Sequence, residues 1–268
     1  MPAPIEQAVN SLSEFVATSA AGIPANRAPI WFRGLGDATY KLVPSLFRHS
    51  TIKSAKELIE LEYDILNRFK HRSLPYQERV LTTDWEYLFF MQHFGVPTRL
   101  LDWSENPLVA VYFAITDAEG HRDKATGEFT TDAVVWMLNP HVWNGHFLGP
   151  AWQRIASVPD AALDSYAPTS NLRSLHTDPV AMAGMHNSRR IVAQRGAFTI
   201  FGSNLLPMEE TFDTKNFPPE ALKKLIIPRG RLLDFRDSLF GLGYTDSMIY
   251  PDLPGLATEI KRQFGFYK

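Results

Sequence analysis

Between Met91 and Ala114 the chain reads MQHFGVPTRLLDWSENPLVAVYFA, which sets Gln92, His93, Thr98, Arg99, Asp102, Trp103 and Ser104 among residues that otherwise suit a protein core. Polar and charged side chains enter a core only with partners. The stretch therefore makes either a satisfied polar network or the floor of a site. A second group lies earlier, where Arg33 follows Trp31 and Phe32 and is itself followed by Gly34. A guanidinium at the end of an apolar strand can grip a phosphate or carboxylate with two parallel hydrogen bonds. It can equally pair with an acidic core residue. Gly34 would free the backbone to turn there.

Other chemistries find less support. Gln92, His93 and Asp102 could serve a hydrolase, but too few acids cluster near them to hold a metal pair. His141 and His146 stand five apart with no carboxylate pattern beside them, so no metal site is assigned. The sequence has no phosphate-binding Walker loop, dinucleotide glycine fingerprint, HExxH or nucleophile elbow.

The elements that must carry these residues follow from periodicity and capping. Ile5, Val9, Leu12 and Phe15 recur at helical spacing and predict a helix over 4–20. The segment 29–34, PIWFRG, reads as a short apolar strand ending at Gly34. Ser54 with Glu57, and Thr83 with Glu86, are capping boxes that open helices to about Arg72 and Gly95. The run 98–103 is a strand whose alternation puts Thr98, Leu100 and Asp102 on one face and Arg99, Leu101 and Trp103 on the other. Arg99 and Asp102 then cannot share a site unless the strand bulges, and one of them is structural. The helix after it, capped by Ser104 or Asn106, is apolar all round and belongs at the centre of the fold. Residues 133–138 and 223–228 are strands, 139–185 are loops and short helices, and 189–202 is a strand pair. The tail from Leu232 is helical.

Composition narrows the class. With 45% hydrophobic and 21% charged residues the chain suits a globular protein, and its net charge of −2 supplies no overall basic field for nucleic acid or anionic membrane. The short basic runs "SRR" and "KKLIIPRGR" are read as solvated faces. Without cysteine there is no disulfide, thiolate metal site or Cys nucleophile. No apolar run reaches spanning length and the first fifteen residues do not resemble a secretory leader, so a cytoplasmic protein that does not enter the membrane is expected. The fold class is α+β, in one domain.

The segments WFRG…YKLVPSLFR, MQHFGVPTRLLDWSENPLVAVYFA, IVAQRGAFTIFG and YPDLPGLATEI together resemble the FRG domain, named for the Phe-Arg-Gly found here at Phe32–Gly34. The likeness divides the chain into a lead-in of 1–29 and an FRG domain over 30–268. More remotely, three segments in order are similar to ADP-ribosyltransferases of the Arg-Ser-Glu type. That resemblance implies small mixed or antiparallel sheets with surrounding helices, NAD as substrate, and transfer or hydrolysis of ADP-ribose. It also implies roles: Arg33 on the pyrophosphate, Gly34 allowing close approach, Asp102 and Gln194 at the ribose, and His93 and Trp103 at nicotinamide or the acceptor. Thr98, Arg99 and Ser104 complete the implied cofactor-binding set. Gln194 stands where the transferases carry Glu, and it lacks the charge. A second reading therefore stays open: a nucleotide-binding or protein-interaction module that turns nothing over. By association the FRG likeness implies an effector in phage–host conflict, with a protein or nucleic-acid acceptor and a regulatory protein partner.

Overall fold

Strand Ala133–Leu138 explains why the middle of the sheet is so apolar. Its alternate residues Ala133, Val135 and Met137 enter one core cluster and Val134, Trp136 and Leu138 enter another, on the opposite face. A strand covered on both faces reads as a continuous hydrophobic run rather than an alternating one. The computed structural model describes residues 4–77, 79–152, 154–168, 174–184 and 189–266.

Seven strands form one mixed sheet: β1 Ile5–Ala8, β2 Trp31–Leu35, β3 Leu100–Ser104, β4 Ala133–Leu138, β5 Val180–Ala183, β6 Gly196–Ile200 and β7 Leu222–Ile227, in the order β1-β7-β4-β2-β3-β6-β5. Only β1 and β7 run parallel; the other neighbours are antiparallel. Around it lie α1 Leu12–Ala21, α2 Ala55–Ser73, α3 Asp84–His93, α4 Pro107–Ala118, α5 Pro140–Leu148, α6 Arg189–Ala193, α7 Met208–Thr214, α8 Leu232–Gly241, α9 Asp246–Ile249 and α10 Leu253–Gln263. The α+β class is as expected. Of the described helices, none is long and apolar enough to cross a membrane.

The tightest seam joins β2 to α4. A Cβ placed on Gly34 would come within 1.8 Å of the Ala110 carbonyl oxygen, and one on Gly36 within 2.2 Å of the Ala118 amide nitrogen. Both glycines exist so that the helix can lie directly on the strand. Gly34 is an internal strand residue opposite Val135, not the sharp turn expected from its position. The all-apolar α4 is buried along Val109–Tyr112, Ala114, Ile115 and Ala118, and Asn106 caps it by accepting from the Leu108 amide.

At its other edge β2 is barely zipped to β3. They share one paired position, Phe32 with Ser104, whereas β2 pairs with β4 through all five of its residues. The sheet therefore splays between β2 and β3, and Arg33 and Asp102 face that split.

Three expectations are corrected. Residues 5–8 are an edge strand rather than the start of a helix; the helix begins after Ser11, whose hydroxyl accepts from the Glu14 amide. The segment 139–185 holds short helices as expected, among them α5, which Asn139 caps just as Asn106 caps α4, but it also supplies the strand β5. Finally, 189–202 is no strand pair: α6 ends at Ala193 and Arg195 turns the chain at φ 46° into β6. Gln194 thus sits in a turn. Ser188 of the "SRR" run lies outside the described residues.

Candidate functional site

A cavity of about 510 Å³ occupies the split between β2 and β3. Its polar lining includes Arg33 from β2, Gln92 and His93 from α3, Asp102 and Ser104 from β3, Asp117 from α4, and Arg190 with Gln194 around α6. Arg48 joins them from the loop after β2, and aromatic wall comes from Tyr40, Phe89, Phe113, Phe198 and Tyr250. Segments more than two hundred residues apart converge here. Its volume falls within the range typical of small-molecule sites.

Arg33 is only partly satisfied within the fold. Its Nη1 donates to the Asp102 carbonyl oxygen at 2.7 Å, filling the place of a missing rung between the splayed strands. Its Nε is buried and has no hydrogen-bond partner. Among the described residues no carboxylate lies within ion-pairing distance of its guanidinium. Burial, with Arg48 nearby, pulls it below the ordinary arginine value, while Asp102 and Asp117 act the other way. It stays charged, because a guanidinium does not lose its proton at accessible pH.

Asp102 is open to the cavity, yet the surrounding wall desolvates it. That desolvation raises its carboxyl above the usual carboxylate range, against the pull of Arg33, Gln92 and Arg190. Gln92 Nε2 donates to Asp102 Oδ2 at 2.6 Å. His93 is pushed below the ordinary imidazole value by partial burial and then by Arg190, with Asp252 and Asp102 opposing.

The remaining expected residues divide. Gln194 reaches the cavity, but its Nε2 donates to the Ile249 carbonyl at 3.2 Å and its own carbonyl accepts the Ser104 hydroxyl at 2.6 Å. Ser104 thus ties β3 to the turn before β6. Trp103 contributes wall, while its indole N–H turns away to Thr199 Oγ1 at 3.1 Å. Gly34 lines the cavity, but its missing side chain serves helix packing.

Thr98 and Arg99 do not reach it. Arg99 is fully buried: Nε meets Glu62 Oε2 at 2.6 Å, Nη1 the Phe201 carbonyl at 2.9 Å and Nη2 the Tyr166 carbonyl at 3.1 Å. Glu62 also accepts the Arg99 amide. Each of its three guanidinium nitrogens has a partner and the side chain is fully buried away from the cavity, so its placement as a cofactor ligand is corrected to a structural one. Thr98 is buried behind Gln92. Of the pair that strand alternation separated, Asp102 faces the site and Arg99 the core.

Sequence reasoning missed Arg48, Arg190, Asp117 and Tyr250. Arg190, expected on a solvated face, is half-buried with its guanidinium 4.3 Å from the Tyr250 ring centroid. Its signal was available: Tyr250 opens the YPDLPG segment, and an Arg over an aromatic face is a common recognition surface. Among the described residues no group of three His, Asp or Glu is placed to hold a metal ion.

The family model described as the FRG domain matches residues 28–123, which carry β2, α2, α3, β3 and α4 and so Arg33, Gln92, His93, Asp102 and Asp117. No curated protein and no solved structure matches the chain.

Proposed function

We propose, for a chain whose residues 28–123 are an FRG domain, that the cavity binds NAD and cleaves its nicotinamide–ribose bond, as an ADP-ribosyltransferase or NAD glycohydrolase does. The observation that carries this reading is Arg33: a desolvated guanidinium with an unpartnered Nε at the wall of a cavity. Such a group is costly unless something bound supplies the missing negative charge. Arg48 and Arg190 add two further guanidiniums, and the aromatic wall suits flat rings.

In this reading Arg33 holds the pyrophosphate and Asp102 faces the nicotinamide ribose. The C1′–N bond breaks, nicotinamide leaves as a neutral base with the bonding pair, and positive charge grows on the ribose. The Asp102 carboxylate stabilises that charge without covalent bonding. Water, or a hydroxyl or amine of a protein or nucleic-acid acceptor, then bonds to C1′ and loses its proton. Gln194 supports the turn beside the ribose rather than supplying charge. A phage–host effector kept in check by a regulatory protein would suit such an activity.

A second reading, binding without turnover, rests on one observation. The cavity's described lining has no Glu, and its nearest carboxylate, Asp102, is held above the normal carboxylate range. Release of labelled nicotinamide separates the two. We expect turnover by the wild type, a loss of about 10²–10³ in rate for Asp102→Asn, and a loss of binding for Arg33→Met. Binding that persists in the wild type without any release would favour the second reading; equal background release by all three proteins would end the first.

A further inference from the structure

The hydrogen bonds behind Asp102 have a fixed direction. Thr98 Oγ1 accepts the Leu100 backbone N–H at 3.1 Å. A backbone amide can only donate, so the single Thr98 hydroxyl proton is free to point elsewhere, and it lies on Gln92 Oε1. An amide whose oxygen accepts presents its NH2 on the other side. Gln92 Nε2 accordingly donates to Asp102 Oδ2. The orientation of this Gln is set by the Asp102 carboxylate, which can only accept, so the NH2 faces it and the oxygen takes the Thr98 hydroxyl.

We propose that Thr98 and Gln92 are a positioning pair that fixes Asp102 as a hydrogen-bond acceptor with its second oxygen left for the ligand. This rests on reading Asp102 as the ribose-side carboxylate. The pair is needed because the site works against itself. A cavity dry enough to strengthen charge interactions also drives a carboxyl to take up a proton. A charge-assisted donor at 2.6 Å opposes that, and does so without adding a further cation to Arg33 and Arg190, which already act on Asp102. The Thr98 hydroxyl supplies the donor that the Gln92 oxygen needs while the Gln92 NH2 faces Asp102, so the amide is satisfied at both ends. The fully buried Thr98, which could not reach a ligand, thereby acquires a role in the site.

Other groups face the same place: Arg33 from β2 and Arg190 from α6 act on Asp102, Asp102 with Arg190 and Asp252 acts on His93 from α3, and Arg48 and Asp117 act on Arg33. The test therefore follows Asp102 itself. Carbon-13 aspartate labelling of the ligand-free protein gives its titration by NMR, with Asp102→Asn assigning the signal. Thr98→Val and Gln92→Met are expected to raise its midpoint by about one unit, a tenfold gain in proton affinity, and Thr98→Ser to restore it. Nicotinamide release by the same variants should shift its acid limb upward by the same amount. An unmoved midpoint in folded Gln92→Met overturns the pair, and that variant decides alone if Thr98→Val does not fold. A raised midpoint in a protein that releases no nicotinamide upholds the pair and removes the catalytic reading instead.

Discussion

Arg33 and Arg99 are both desolvated arginines, and the protein treats them in opposite ways. Arg99 is enclosed by Glu62 and two carbonyl oxygens, with a partner at each guanidinium nitrogen. Arg33 makes one bond, to a carbonyl exposed by the splayed strands, and leaves Nε unpaired at a cavity wall. A buried ion pair seldom adds net stability, but breaking one is expensive because the surviving charge is stranded. The first arrangement therefore joins α2, β3 and the strand end at Phe201, whereas the second leaves a buried donor at the cavity wall, which the proposed ligand would meet.

The sharpest way to break this comparison is to remove each arginine. Arg99→Met leaves the Glu62 carboxylate buried without its cation, with the backbone amide of residue 99 still donating to it, and should cost about 3–5 kcal/mol of stability by urea unfolding. Arg33→Met should cost at most ~1 kcal/mol, since one hydrogen bond is lost while a desolvation penalty is relieved. Similar losses for both would show that Arg33 is also structural.

Gly34→Ala comes next and asks what the glycine beside Arg33 does. With the new Cβ 1.8 Å from the Ala110 oxygen, β2 and α4 must separate. A loss of roughly 3 kcal/mol is expected from overpacking. A stable variant defective only in ligand binding would restore the close-approach role.

The smallest effects concern two carboxylates with opposite pH signatures. Burial raises Asp102. A carboxyl with a raised folded value imposes no penalty below its unfolded value, and the penalty grows as pH rises through the folded one. Asp102→Asn should therefore gain stability relative to wild type with rising pH across that window. Glu86 behaves in reverse. The Thr82 amide first, and then Arg79, hold its carboxyl down to about 2. Its stabilisation is complete above the unfolded value and fades as pH falls toward 2. Glu86→Gln should be less stable than wild type at neutral pH and equal to it near the acid end. pH-dependent unfolding curves read both signs.

Much of the frame was legible because local physics fixed it. The caps at Ser54, Thr83 and Asn106 stand where the sequence puts them, and the all-apolar run 108–115 is the buried helix. Asn139-Pro140 carried the same capping signal as Asn106-Pro107, and that parallel would have revealed α5. The choice between Arg99 and Asp102 was not legible, because it depends on Glu62, 37 residues away on α2. Nor was the cavity's far wall: Arg190 comes from a five-residue helix too short to leave a periodic trace. The splay between β2 and β3 is likewise a property of the pairing, and no single strand encodes it.

The central claim of the proposal is that Arg33 leaves Nε unpaired because a bound anionic ligand is its partner. Thermal unfolding with and without saturating ADP-ribose tests it most directly, since ligand bound only to the native state raises the midpoint. The wild type should gain roughly 5 °C, Arg33→Met should gain nothing, and the Glu86→Gln control should respond like wild type. An equal gain in Arg33→Met, or none in the wild type, would contradict the account.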